Sequence, residues 1–355
     1  MTPFIILLLT PIIIQHTQIN RISYKQKNEI ALVSFFVLLT ILVMLRHESI
    51  GNDTDVYLRY FNMYSKTDWS VLRNVNIEFG YSVFNKLISL FVSSPQLFLA
   101  ITAIIPSVMI YPTYKRLCMD SSLTIVLFCT LSTFVMMFSG IRQVFAIGIG
   151  FIAYHFTRNK KIIPFVLCVL LAMAFHVSAF MLLFMYPLYH ARITKKWLLV
   201  IGPVLTFIFL FNETIFSFLG RILERYTNYD ATIEHTGAYT MLFLFAIFTI
   251  FAFLIPEESR LDSETIGLRN FLLMALVVQM YAPLHMTASR MNYYYIIFLP
   301  LLLPKIIACR SIRWNKVAVF SRHVMVVFFL LYFFVYAYRG GGLHVFPYHF
   351  FWENI

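Results

Sequence analysis

Charge is scarce in this 355-residue chain and acidic charge scarcer still, with 16 Asp and Glu against 28 Lys and Arg, together 12% of residues. Hydrophobic residues make up 60%, and the mean hydropathy is +0.77. A water-soluble globule could not hide that much apolar surface, so a soluble fold is excluded and a bilayer is the solvent. Cysteine is also sparse. Cys118, Cys129, Cys168 and Cys309 fall in apolar runs or beside inward-facing basic segments, where no disulfide framework forms. No internal repeat, low-complexity tract or polar domain interrupts the pattern, so residues 1–355 read as a single integral membrane domain. The basic excess sits in short loops beside apolar runs, which sets nucleic acid aside as a partner.

What is abundant is aromatic and apolar: 38 Phe and 21 Tyr, some of them expected in interfacial belts. Read as spans, the apolar runs predict an all-α polytopic membrane protein with about twelve transmembrane helices and both termini outside. The spans fall near 1–14, 30–45, 95–114, 121–138, 141–156, a hairpin between 162 and 191, then 197–211, 239–255, 271–289, 291–307 and 324–338. The first is apolar without a preceding basic residue or small-residue cleavage site, and so reads as a short span. In this arrangement the inward segments hold 18 of the 28 basic residues and six of the 16 acidic ones, so the whole net charge of +12 lies inside. That is the asymmetry that orients polytopic proteins. It leaves ten outward Arg and Lys that topology does not require.

The hairpin follows from charge alone. Basic clusters at Arg158 to Lys161 and Arg192 to Lys196 must both stay inside. Each arm is then about fourteen residues, roughly 21 Å long against a hydrocarbon core of about 30 Å. Its turn, Phe175-His176-Val177-Ser178, therefore places an imidazole within the outer part of the membrane profile.

Three outward segments carry candidate chemistry: the long loops at about 46–80 and 212–237, and the tail 339–355. The first holds Asp53-Thr54-Asp55, a D-x-D string, and later Glu78-Phe79-Gly80-Tyr81. Nucleotide-sugars are cytoplasmic and this loop faces out, so its carboxylates read as a base or as ligands of sugar hydroxyls, with a solvated turn as the plain alternative. Arg142 opens a span after Gly140, where free N–H groups and the helix dipole already favour an anion and a guanidinium fork can grip phosphate oxygens. Snorkelling to lipid head groups is the simpler reading. Arg290 stands in a comparable outward turn ahead of Tyr293-Tyr294-Tyr295. In the tail, three glycines and the aromatics from Phe346 to Trp352 suggest an interfacial anchor, with sugar stacking as the alternative.

The strings from Arg46 to Tyr57, Glu78 to Tyr81, Ile141-Arg142-Gln143, and Ala174 to Ala179, with Arg290 before its tyrosines, resemble the EpsG-like family of bacterial polysaccharide polymerases, related in role to the Wzy O-antigen polymerases. The resemblance implies a GT-C-like architecture in the bacterial plasma membrane. It also implies polymerisation, on the outer face, of oligosaccharide repeat units carried on undecaprenyl diphosphate. On that reading His176, Asp53, Asp55 and Glu78 are the candidate catalytic groups, and Arg142, Arg290 and Arg46 the diphosphate ligands. Tyr57, Gln143 and Tyr294 would meet sugar. No metal or cofactor is required, and a chain-length regulator is a possible partner. An O-antigen ligase, a transferase using polyprenyl monophosphate sugars, and a flippase of lipid-linked glycan remain as alternatives. Charges through the depth of several spans and related halves would favour the flippase, and neither is visible here.

Overall fold

The computed structural model describes residues 1–17, 22–74, 77–131, 133–226, 233 and 238–354. Among them the chain is helical, with no strand and only two isolated bridges, Arg46 with Phe350 and Pro256 with Arg310. Helices are what apolar sequence must form in lipid, since each satisfies its own backbone polar groups. The chain divides into two compact units: Met1–Leu183 with Phe320–Ile355, and Phe184–Val319.

The first unit contains α1 (Thr2–His16), α2 (Tyr24–Met44), α3 (Thr54–Lys66), α4 (Phe79–Ser89), α5 (Pro95–Leu117), α6 (Ser121–Thr130), α7 (Thr133–Ser139), α8 (Ile141–Arg158) and α9 (Ile162–Phe175). Their starts are written locally. Ser23 and Gln26 form a reciprocal capping box on α2, Ser94 caps α5 ahead of Pro95, and Asp120 accepts from Leu123 N at the head of α6. Asp120 also takes Arg322 Nε at 2.6 Å, tying the helix that carries Arg322 to the same end. Aromatic edges fill the interior. Phe4 meets Phe134, Phe138, Phe333, Phe346 and Tyr348, and the rings of Phe145 on α8 and Phe175 on α9 stack 5.3 Å apart.

The second unit holds α10 (Met185–His190), α11 (Leu198–Leu210), α12 (Asn212–Tyr226), α13 (Tyr239–Leu254), α14 (Ser263–Gln279), α15 (Met286–Ile296) and α16 (Leu299–Ala308). A fully buried cation, Arg269, anchors it. Its guanidinium takes both carboxylate oxygens of Glu258, at 2.8 and 3.3 Å, donates to the Ile193 carbonyl at 2.6 Å and lies over the Phe253 ring. Such pairing offsets the cost of taking the charge out of water. The last helix, α17 (Asn315–Tyr338), leads into the tail.

Among the described residues, α2, α5 and α17 with its preceding turn are each long and apolar enough to cross a membrane, and up to six spans result if each bent helix pair counts as one. The helices α1, α9 and α13 are apolar but shorter. A helix break falls at the turn read from the sequence, with α9 ending at Phe175 and His176 as its C-cap.

Elsewhere the expected boundaries need correction. The segment 46–80 is no loop: α3, a 3-10 turn over Trp69–Asn74 and the start of α4 occupy most of it, because apolar residues recur there at helical spacing. The run 271–289 is not one helix, since α14 stops at Gln279 and α15 begins after His285, whose ring accepts from Thr287 N at 3.1 Å. Arg290 thus lies within α15, not in a turn. The first part of 212–237 is α12, and Asp230, Glu234 and His235 lie outside the described residues.

Candidate functional site

Two glycines dock the segment 46–80 onto the ends of α7 and α9. Gly51 has φ +88°, and a Cβ there would stand 2.4 Å from the Phe138 carbonyl oxygen, so only glycine lets the 46–51 turn lie against the end of α7. Gly80, in the first turn of α4, approaches the end of α9 as closely, and its Cβ would fall 2.7 Å from the Ala174 carbonyl oxygen. That second approach delivers Glu78 to His176. Thr54, fully buried, reinforces the first, with its hydroxyl within reach of the Ile50 and Phe138 carbonyls.

Glu78 is the N-cap of α4, yet its side chain makes no capping bond. It reaches instead to three donors. One carboxylate oxygen accepts from Arg142 Nη1, and the other lies 3.1 Å from His176 Nδ1 and accepts from Val177 N at 3.3 Å. A carboxylate only accepts, so the hydrogen sits on Nδ1 and the Nε2 of His176 is left to take or give a proton. All three side chains are mostly shielded, with exposures of 27% for Arg142, 19% for Glu78 and 20% for His176. Burial alone would push the Glu78 pKa up. The hydrogen bond from His176 and the charge of Arg142 outweigh it and hold the carboxyl at about 2, against an ordinary 4.5. Glu78 is therefore a permanent anion at neutral pH and a weak base.

Arg142 sits in the first turn of α8 behind Gly140, as its sequence context indicates. The anion it holds is one of the chain's own. Its guanidinium carbon lies 5.9 Å from the centroid of the Tyr57 ring, while its buried Nε has no hydrogen-bond partner among the described residues. Tyr57 belongs to a buried cluster with Phe61, Tyr81, Phe98 and Phe145.

Arg46 stands behind Tyr57 and Tyr81 and is fully buried. It donates to the Val43 carbonyl and, at 3.5 Å, to Thr54 Oγ1, and its Nη2 has no hydrogen-bond partner among the described residues. Burial lowers its pKa to about 10, opposed by the nearby hydroxyls of Tyr348, Tyr57 and Tyr81. What covers it is the C-terminal tail, which packs down along the chain between α2 and α3. His47 N donates to His349 O, Gly51 N to His344 O and Phe351 N to Leu45 O, while Tyr348 Oη closes on the Leu42 carbonyl at 2.7 Å. Tail residues Val345, Phe346 and Tyr348 are buried. At the end of the tail Phe351 and Trp352 are exposed and Trp352 stacks on Phe350.

Of the residues singled out from sequence, Arg46, Tyr57, Glu78, Arg142 and His176 converge. Gln143 is buried in α8 beside Arg142. The two carboxylates of the D-x-D string part: Asp53 is the half-buried N-cap residue of α3, and Asp55 pairs with Arg59 at 2.6 Å on the exposed face of that helix. Arg290 and Tyr294 belong to α15 of the second unit, Tyr294 buried and Arg290 half-buried. Tyr81 and Tyr348 were not anticipated. Tyr81 is the last residue of a string already read for its glutamate, whereas nothing in the local sequence of Tyr348 indicates that the tail folds back.

The fold and the site define a helical membrane protein with an Arg–Glu–His linkage at the ends of its helices. A comparison with family models supplies the finer placement: the EpsG family matches residues 29–350, and the chain belongs to that family, whose role is that of a membrane polysaccharide polymerase. Neither the curated proteins nor the solved structures gave a match.

Proposed function

We propose that this protein polymerises oligosaccharide repeat units carried on undecaprenyl diphosphate at the outer face of the bacterial plasma membrane, by glycosyl transfer to the next lipid-linked unit. The proposal takes the chain as a twelve-span protein with both termini outside, which puts the Glu78 linkage on the side where such units are exposed. An attacking sugar hydroxyl loses its proton to Nε2 of His176 as its oxygen bonds to the anomeric carbon. The anomeric C–O bond breaks, and its electron pair leaves on the lipid diphosphate. Arg142 stabilises that growing negative charge, which is greater in the transition state than in the ground state. Glu78 orients the imidazole and stabilises it once protonated, a role for which a permanent carboxylate suits and a neutral one does not.

The observation that carries this reading is the single carboxylate joining Arg142 to His176. It sets a proton acceptor and an anion-binding fork side by side, as transfer from a phosphate leaving group requires. The test is purified protein in proteoliposomes given a defined diphosphate-linked repeat unit from outside. A ladder of lengthened lipid-linked glycans is expected. Single-sugar addition, movement of the unit across the bilayer without elongation, or transfer to a different acceptor would each replace the proposal with one of its alternatives.

A further inference from the structure

The second unit carries a helix that buries none of its residues. α11 is apolar along its length, with Thr206 its single polar side chain, yet not one of its 13 residues is buried. Between it and α13 runs a groove of about 600 Å³, lined by Gly202 and Leu205 of α11, Phe243 and Ala246 of α13, and Leu276 and Met280 of α14. A Cβ added at Gly202 would meet no atom within 4 Å. The two threonines in the lining, Thr206 and Thr249, turn their hydroxyls back onto the Gly202 and Phe245 carbonyls, at 2.9 and 2.8 Å. Away from Tyr239 at one end, the groove therefore offers hydrocarbon surface alone. At 1.5 Å per residue the stretch from Leu198 to Phe209 is roughly 17 Å long, close to half of a hydrocarbon core about 30 Å thick.

The other end of the groove is basic. Arg192, Lys195 and Lys196 lead into α11, and no acidic residue falls between Ala191 and Leu210. Lys195 Nζ reaches across to the carbonyl of Pro256, just past the end of α13, at 3.0 Å, so an ammonium spans the mouth between the two helices. The carboxylates that follow Pro256 in the chain are already engaged: Glu257 by Arg260, Glu258 by Arg269 and Asp262 by Lys305. Trp197 stands exposed beside the lysines, a side chain suited to the head-group level.

We propose that this groove binds one anionic phospholipid, with an acyl chain between α11 and α13 and the phosphate on Arg192, Lys195 and Lys196. Any lipid tail could fill an apolar groove; the three cations at its mouth make the site selective for a head group of net negative charge. The acyl chain supplies the packing that α11 lacks, so the lipid is a wedge that joins α11 to α13 and α14. Nothing in this site depends on the chemistry at Glu78.

Native mass spectrometry of the full-length protein in neutral detergent micelles tests this, with phosphatidylglycerol and phosphatidylcholine of the same acyl chains added in turn. Phosphatidylglycerol is expected to bind at one per chain, at least about tenfold more tightly than phosphatidylcholine, and to raise the melting temperature. The double variant Arg192→Gln, Lys196→Gln should lose that preference. Gly202→Phe, which fills the groove, should lose the bound lipid while keeping its helix content. Equal binding of the two lipids, or a preference that survives the double variant, would overturn the head-group assignment, and undiminished binding in Gly202→Phe would overturn the groove. Farnesyl diphosphate displacing phosphatidylglycerol would put a different lipid there and overturn the proposal as well. Should Gly202→Phe fail to fold, Ala246→Phe fills the groove from α13 and decides in the same way.

Discussion

His176 Nδ1 stands 3.1 Å from Glu78 Oε1, although 97 residues separate the two in the chain. The contact exists because α4 starts where α9 ends, and Gly80 has no side chain to hold the two apart. Everything proposed for the chemistry depends on that meeting, which makes its parts individually testable.

Replacing Arg142 by Lys keeps the charge but loses the planar fork that now spans Glu78 and Tyr57. Elongation is expected to fall by about a hundredfold or more, with protein level in membranes unchanged. Wild-type banding of the polymer in this variant would take Arg142 out of the reaction.

The Glu78 carboxyl offers a pH test with a definite sign. Its folded pKa of about 2 lies below the ordinary 4.5, so its contribution to stability is complete above 4.5 and is lost as pH falls towards 2. The thermal stability gap between wild type and Glu78→Gln should hold steady from about pH 7 to about pH 5 and shrink below that. A gap that shrank already near neutrality would mean that the carboxyl is not held down by its partners.

Gly80→Val should disconnect Glu78 from His176 while leaving every polar group of the site present. The added atoms must push α4 off the Ala174 carbonyl, at a cost of about 1–3 kcal/mol. Elongation is expected to fall more than stability does. Gly51→Ala meets both a positive φ and the Phe138 carbonyl, and is expected to lower the amount of folded protein as well. Quantifying polymer and folded protein in parallel separates the two cases.

Removing residues 340–355 uncovers Arg46 and strips the partners of His47, Gly51 and Leu45. The truncated protein should lose elongation even where it still inserts. Tyr348→Phe, which deletes only the bond to the Leu42 carbonyl, should cost about 1 kcal/mol and leave elongation nearly intact. Full activity after truncation would reduce the tail to an ornament of the surface.

Much of this was legible beforehand, for identifiable reasons. Helix content and the helix break at His176 follow from apolar periodicity and from where Arg and Lys accumulate, both local properties. Arg142 was legible as an anion site from Gly140 and the helix start that follows. Its partner was not, because the pairing of Glu78 with Arg142 joins residues 64 apart and depends on close backbone approach at Gly80, which composition does not encode. Asp53 and Asp55 drew notice through a short pattern, yet Asp55 is taken by Arg59 one helical turn away. The fold-back of the tail rests on backbone hydrogen bonds, which carry no side-chain signature, and on aromatic packing of Phe346 and Tyr348 against residues far away in the chain.

The account turns on Glu78 and His176 working as one unit, and single-turnover elongation rates of His176→Ala, Glu78→Gln and the double variant measure that directly. Each single change is expected to slow transfer by roughly a hundredfold or more, and the double to be little slower than His176→Ala alone, because the carboxylate acts through the imidazole. Additive losses, or a His176→Ala protein as fast as wild type, would contradict it.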